Sequence, residues 1–304
     1  MLTINIILLI SLFFGNIFNT PIADKKEIES NLDSWNEFDL QNPEELGNYF
    51  EGDLINPKFG RNGLVDTASR WNKGIIPYEI SRNFQTQDKN VILQAMNVYS
   101  KYTCISFRPK TPDDKDYISI TNYNNGCWSQ VGRQGKKQEV NLQSPQCTKK
   151  LGTSLHELMH AAGFLHEQNR NERDDFVTIK WDNIKDDRER NFDKAEEGYE
   201  QGFGVPYDFV SVMHYSSYAF SSNGERTIIT KDPKNLDKIG QRRGFSIGDI
   251  MKINAMYDCP EKTQQLNLTG DIIETLTNNN GNQKEQERNT LWEAVNNFFS
   301  IFDE

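Results

Sequence analysis

Four residues within a short stretch, His156, Glu157, His160 and His166, have the types and spacing needed to activate water on a metal ion. On a helix, His156 and His160 lie four positions apart and present both imidazoles on one face, while Leu155, Met159 and Ala162 can turn inward. Gly163 can take the backbone conformation that ends a helix and turns the chain, which would bring His166 to a third corner. Three neutral imidazoles suit Zn2+ and leave one position for water. Glu157 need not ligate. On the open side it can take a proton from water whose acidity the ion has raised, and later deliver one to a leaving amine. The chain has only four histidines, so three at this spacing are informative.

The fourth histidine, His214, sits in SVMHYSSY and reads as supporting structure rather than as a further ligand. Met213 can place a soft apolar side chain beneath the cage in a tight turn. Tyr215 can reach the ion or donate a hydrogen bond to an oxyanion.

These groups need a scaffold, and the hydrophobic pattern supplies candidates. Ile75 to Ile80, Ile105 to Phe107, Tyr117 to Thr121 and Glu139 to Leu142 read as strands, and Val91, Ile92, Ala95, Met96, Val98 and Tyr99 as one face of a helix. Thr153 or Ser154 is expected to cap the histidine helix, and Ser246 a helix from Ile247 through Met256. Cys104, Cys127, Cys147 and Cys259 contain no CxxC pair, so disulfides are favoured over a metal cluster, and three pairings are open. A Cys127 to Cys147 bridge would be worth about 3 kcal/mol and a Cys104 to Cys259 bridge about 5 kcal/mol in the chain-entropy treatment.

The net charge of -10 argues against a general nucleic-acid binder. Its distribution is uneven: residues 1–61 carry 4 bases and 10 acids, 62–260 carry 27 and 26, and 261–304 carry 3 and 8. The acidity therefore lies at the ends. Residues 1–23, with an apolar run from Ile6 to Phe14, fit a secretory signal peptide, and no later stretch suits a transmembrane anchor. Residues 24–61 are polar with scattered apolar anchors, as suits a segment lying across another surface. Residues 261–304 begin as a polar linker. They end in Leu291, Trp292, Val295, Phe298, Phe299 and Phe302, an amphipathic helix candidate that can dock on the protein or contact a membrane or protein partner. Asn267 opens an N-glycosylation sequon, NLT.

HExxHxxGxxH followed by SVMHY resembles the astacin family of secreted zinc metalloendopeptidases, within the metzincin clan. The resemblance extends through WNKGIIPYEIS, CWSQVGRQGKKQ, YAFSSNG, IGQR and INAMYDC, about two thirds of the chain. It implies an α+β fold of two subdomains, with a twisted mixed sheet and the active-site helix above a substrate cleft. It also implies the pairings Cys104 with Cys259 and Cys127 with Cys147. One catalytic Zn2+ would be bound by His156, His160 and His166, with Glu157 as general acid and base, Met213 in the Met-turn and Tyr215 as a switchable ligand. Substrates would be extracellular proteins or peptides lying along an edge strand near Cys127 to Gln130. Another metzincin endopeptidase is the nearest alternative reading.

The acidic beginning then acquires a role by the same resemblance. FEGDL, residues 50–54, is similar to the family's FxGD prosegment motif, so Asp53 is expected on the zinc of a zymogen, with Gly52 permitting the turn. Cleavage by a trypsin-like protease is expected at Arg61-Asn62, separating a propeptide of 24–61 from a protease domain of 62–260. The new amino group of Asn62 would then meet Glu167.

Overall fold

Alternating and continuous apolar runs build the sheet that carries the site. The computed structural model describes residues 32–55, 67–195 and 202–259. Strands β1 (Ile75–Ile80), β2 (Ser106–Pro109), β3 (Tyr117–Thr121), β4 (Cys127–Ser129) and β5 (Lys137–Leu142) form a mixed sheet in the order β2-β1-β3-β5-β4. All neighbours run parallel except β4, which pairs antiparallel with β5 and leaves its other edge open to the chain beyond the sheet. Helices α1 (Thr86–Tyr102) and α2 (Leu151–Ala162) pack on this sheet, and α3 (Ile247–Met256) closes the domain. The result is the expected α+β fold.

Two apolar cores lie in this fold. The larger joins Ile76, Ile118, Ile120, Val140 and Leu142 of the sheet to Ile92, Met96 and Tyr99 of α1 and to Leu155, Leu158 and Met159 of α2. The smaller gathers Val177, Ile179, Phe192, Tyr207, Phe220 and Ile228 around a two-stranded antiparallel sheet of β6 (Val177–Ile179) and β7 (Ile228–Thr230). Met213 belongs to the first core and Tyr215 to the second, so the SVMHY turn links the two. Polar ties reinforce the helix that carries the histidines: Tyr99 Oη donates to Leu155 O at 2.8 Å and Trp71 Nε1 donates to Ala161 O at 2.8 Å.

Both disulfides follow the implied pairing, Cys104–Cys259 and Cys127–Cys147. All the expected strands begin and end within about two residues of those found, and Ser246 caps α3 in a reciprocal capping box with Asp249. The start of α2 corrects the expectation. The helix begins at Leu151 after Lys150, with no side-chain cap, and Thr153 and Ser154 are buried inside it. Thr153 Oγ1 instead lies 3.4 Å from Glu44 Oε2 of the N-terminal segment. The helix start is fixed by backbone, because Gly152 N–H donates to Arg242 O at 3.0 Å. Strands β6 and β7, three residues each, had no sequence expectation.

Among the described residues, no helix is long and apolar enough to cross a membrane. The signal-peptide region, Arg61, Asn62, Asn267 and the apolar tail lie outside the described residues.

Residues 32–55 cross the domain rather than forming a body of their own. Leu32 and Trp35 enter the main core, and a 3-10 turn over Pro43–Leu46 buries Glu44 and Glu45. Leu54 then makes a parallel bridge with Ser129: Ser129 N–H donates to Asp53 O at 2.8 Å and Ile55 N–H to Ser129 O at 3.0 Å. The segment thus takes the free edge of β4.

The tight start of α2 can be tested at Gly152. A Cβ there would lie 2.2 Å from the backbone carbonyl of Arg242. Gly→Ala normally favours a helix by about 1 kcal/mol, yet here Gly152→Ala is expected to lower stability in denaturant titration by about 1–3 kcal/mol, as overpacking against backbone does. An unchanged or higher midpoint would contradict this packing.

Candidate active site

Helix α2 delivers His156 and His160 one turn apart, and it is buried along almost its whole length. Every residue from Gly152 to Ala162 is buried. Gly163, at φ 115°, ends the helix with its N–H on the carbonyls of Met159 and His160. That left-handed turn carries the chain to His166, as its sequence position suggested.

Three imidazoles and one carboxylate meet in this pocket. Asp53 Oδ2 lies 2.9 Å from His156 Nε2, 3.6 Å from His160 Nε2 and 3.2 Å from His166 Nε2. His156 Nε2 is 3.0 Å from His160 Nε2 and 3.3 Å from His166 Nε2. A tetrahedron around Zn2+ with bonds of the usual length has edges of about 3.3 Å, so these separations fit the ion. Among the described residues, Asp53, His156, His160 and His166 are the group that can hold a metal, and all four are buried.

The outer nitrogens fix which lone pairs face inward. His156 Nδ1 lies 2.8 Å from Val212 O and His160 Nδ1 2.7 Å from Phe164 O. A carbonyl can only accept, so both Nδ1 atoms carry hydrogen and both Nε2 atoms turn lone pairs to the centre. His166 Nδ1 has a different kind of partner, the Glu51 carboxylate, with Oε2 at 2.7 Å. Burial and the nearby Arg242 push His156 down to about 4, which favours the neutral, ligating form. Burial alone would also lower His166, but the carboxylates of Asp53 and Glu51 outweigh it and lift this group to about 9. The pocket demands positive charge. Zn2+ supplies it.

Glu157 stands beside this cluster in an unusual state. Both carboxylate oxygens are buried and have no protein hydrogen-bond partner. Burial, with the added charges of Asp53 and Glu44, holds its carboxyl well above the usual range. Asp53 Oδ1 is also buried without a protein partner. A metal site with room for a proton-transfer group is what such orphaned oxygens fit.

The chain is similar throughout this region to known proteins. The family model for Astacin, a peptidase family, matches residues 63–258. The chain belongs to the astacin family. It is 43% identical over 234 residues to zinc metalloproteinase nas-13 of Caenorhabditis elegans, covering 70% of this chain and 51% of that one. It is 39% identical to nas-4 of the same organism, covering 71% of this chain and 70% of that one. Against meprin A subunit beta of Rattus norvegicus the identity is 40%, over 79% of this chain but 33% of the relative. The chain therefore spans about half of nas-13 and a third of meprin beta. Among solved structures, high choriolytic enzyme 1, a hatching enzyme zinc-protease from Oryzias latipes, is similar with a TM-score of 0.59 and 38% identity, over 64% of this chain and 96% of that one.

Other expected astacin site residues are distributed around the cluster. Tyr215 is fully buried, with its ring centroid 4.6 Å from that of His166, but its Oη donates to Glu51 O at 2.5 Å. His214 stays out of the ligand set: its Nδ1 donates to Tyr215 O at 2.8 Å, and Tyr207 Oη donates to its Nε2 at 2.7 Å. Burial holds His214 neutral, down to about 4. Met213 is buried, and its carbonyl accepts from Glu167 N–H at 3.1 Å. Glu167 accepts from Arg170 Nη1 and from Asp208 N–H, both at 2.9 Å, and from Lys252 Nζ. Although burial opposes its ionisation, Lys252 and Arg170 keep its carboxyl below the ordinary value.

Several contributors had no signal in the sequence. Glu44 pairs with Arg242 in full burial, and Glu45 accepts from Ser216 N–H and Oγ, both at 2.6 Å. Glu51 occupies the variable position of FxGD, where any residue satisfies the motif. Arg242 was visible only as part of IGQR, and Lys252 not at all.

The donor set predicts one tightly bound ion. Zn2+ titration of metal-free protein is expected to saturate one strong site per chain. His160→Ala is expected to weaken it by at least about 100-fold, the upper range for loss of an outer-sphere partner alone. Native affinity in that variant would remove His160 from the ligand set.

Proposed function

We propose that this chain is a secreted zinc metalloendopeptidase made as a zymogen, which hydrolyses internal bonds of extracellular proteins or peptides. The observation that carries the reading is the placement of Asp53 Oδ2 among three histidine nitrogens beside the unpartnered Glu157 carboxylate. In this reading residues 1–23 direct export, 24–61 inhibit, 62–260 catalyse, and 261–304 form an appended tail. A trypsin-like protease cuts at Arg61-Asn62. The Asn62 amino group then joins Glu167, whose acidic surroundings with Asp208 and Asp249 suit a further cation despite Lys252 and Arg170. Asn267 carries glycan in an exported chain.

Bound Zn2+ supplies Lewis acidity toward water and the scissile carbonyl. Glu157 takes the proton of the attacking water as the carbon–oxygen bond forms, then passes it to the amine as the carbon–nitrogen bond breaks. Departure of the N-terminal segment removes the charges of Asp53 and Glu44 and admits water, both of which lower the Glu157 carboxyl toward a range suited to a base. Tyr215, freed from the Glu51 carbonyl, offers its hydroxyl to the developing oxyanion. The same departure uncovers the edge of β4, where a substrate backbone can pair.

Two measurements test this reading. Glu157→Gln in the processed enzyme is expected to lower kcat by about 10²- to 10⁴-fold, the range for a lost general base, with zinc content unchanged. Equal turnover in a folded variant would dismiss the assigned role. Separately, unprocessed Asp53→Ala, its intact mass verified, is expected to cleave a peptide library while the unprocessed wild type does not. Equal latency in the two would show that Asp53 is not the inhibitory ligand.

A further inference from the structure

Of the three ligand histidines, only His166 depends on the N-terminal segment for its outer hydrogen bond. His156 and His160 are oriented by the carbonyls of Val212 and Phe164, which belong to the catalytic body. His166 Nδ1 meets Glu51 Oε2 at 2.7 Å, while its Nε2 faces Asp53 Oδ2 at 3.2 Å. Two carboxylates of one short segment therefore bracket a single imidazole. A carboxylate behind a ligating histidine fixes its tautomer and ring plane and makes its inner nitrogen a better donor.

The position of Glu51 is built for this contact. It is a non-glycine residue with φ 49°, a left-handed conformation that ordinary residues seldom adopt. Its backbone is pinned on both sides: its N–H donates to Asn191 Oδ1 at 3.1 Å and its carbonyl accepts from Tyr215 Oη at 2.5 Å. The side chain is buried against His166. Because Asn191 and Tyr215 hold the backbone, truncating the side chain leaves the turn its own anchors.

We propose that Glu51 is a positioning residue that fixes His166 from behind, so that the N-terminal segment retains zinc with two carboxylates, and the unprocessed chain holds the ion more tightly than the processed enzyme. This deepens the zymogen reading and rests on it. The segment is then a metal-retention device as well as a block. Zinc is secured while the chain is latent, and the additional hold is surrendered on activation.

The test is chelator competition for Zn2+ on the full chain, unprocessed and then processed, with integrity followed by mass. Unprocessed Glu51→Ala is expected to hold zinc about 10- to 100-fold less tightly than wild type, the usual cost of losing an outer partner. Glu51→Gln keeps an acceptor oxygen without the charge and is expected to fall between. After processing and separation from the segment, all three are expected to be equal, and weaker than unprocessed wild type. Equal zinc retention in unprocessed wild type and Glu51→Ala overturns the proposal. So does a deficit that persists undiminished after processing, because residue 51 has then left. Asp53→Ala separates the two readings: if it releases latency while Glu51→Ala leaves zinc affinity unchanged, the zymogen reading stands and the role of Glu51 falls. If Asp53→Ala stays latent and holds zinc as wild type does, the underlying reading falls instead.

Discussion

Three imidazole lone pairs and a carboxylate oxygen share a buried pocket only if positive charge lies among them. The requirement is electrostatic, and much of the structure follows from it. His156 Nε2 lies 3.0 Å from His160 Nε2 and 3.3 Å from His166 Nε2 because Val212 O, Phe164 O and the Glu51 carboxylate hold the opposite nitrogens. Helix α2 must therefore be rigid and buried, and it is anchored by Tyr99, Trp71 and the Arg242 backbone rather than by an N-terminal side-chain cap. The two disulfides stabilise the same body, since each closes a loop that the unfolded chain would otherwise sample freely.

Charge compensation continues outward from the metal. Arg242 is buried against Glu44 and donates to His214 O, so it links the segment to the SVMHY turn. Lys252 meets Glu167 and lies near Asp208 and Asp249, two carboxyls that burial raises, Asp208 to about 7. Single buried charges would be costly here, and paired ones approximately compensate for desolvation. The SVMHY turn sits between these clusters and passes their constraints to Tyr215 through its backbone.

Legibility in the sequence followed the range of each interaction. His156, His160 and Gly163 speak through a local helical period, and their placement agrees with their spacing. The capping box at Ser246 is equally local. Thr153 and Ser154 misled because cap preference is also local, whereas α2 starts where Gly152 meets Arg242, a contact between distant parts of the chain that leaves no pattern in the neighbouring residues. β6 and β7, which pair only with each other in a separate small sheet, had no expectation. Glu51 was hidden for a further reason: FxGD constrains the turn and the ligand but is silent about the residue between them, whose role depends on where its side chain lands. The disulfide pairing needed the family resemblance, since spacing left three choices open.

In the proposed zymogen reading the N-terminal segment would have to satisfy opposing demands, and the chemistry of residues 42–55 suits both. While tethered, the segment rebinds at an effective concentration that covalent linkage sets on the order of millimolar for a short connection. Moderate intrinsic affinity is then enough to keep the cleft filled. Once cut as proposed, the chain would leave the same contacts facing the far lower concentration of free peptide. A predominantly hydrophobic segment could remain bound. Besides the buried apolar anchors Leu32, Trp35 and Leu54, this one is held through Glu44, Glu45, Glu51 and Asp53, carboxylates whose partners are cations, hydroxyls and imidazoles. Buried charge pairs contribute little net free energy because desolvation offsets their attraction, yet they punish misplacement severely. Such a segment is specific in position without being irreversible in binding, which in the proposed reading would let a cut outside the pocket empty it.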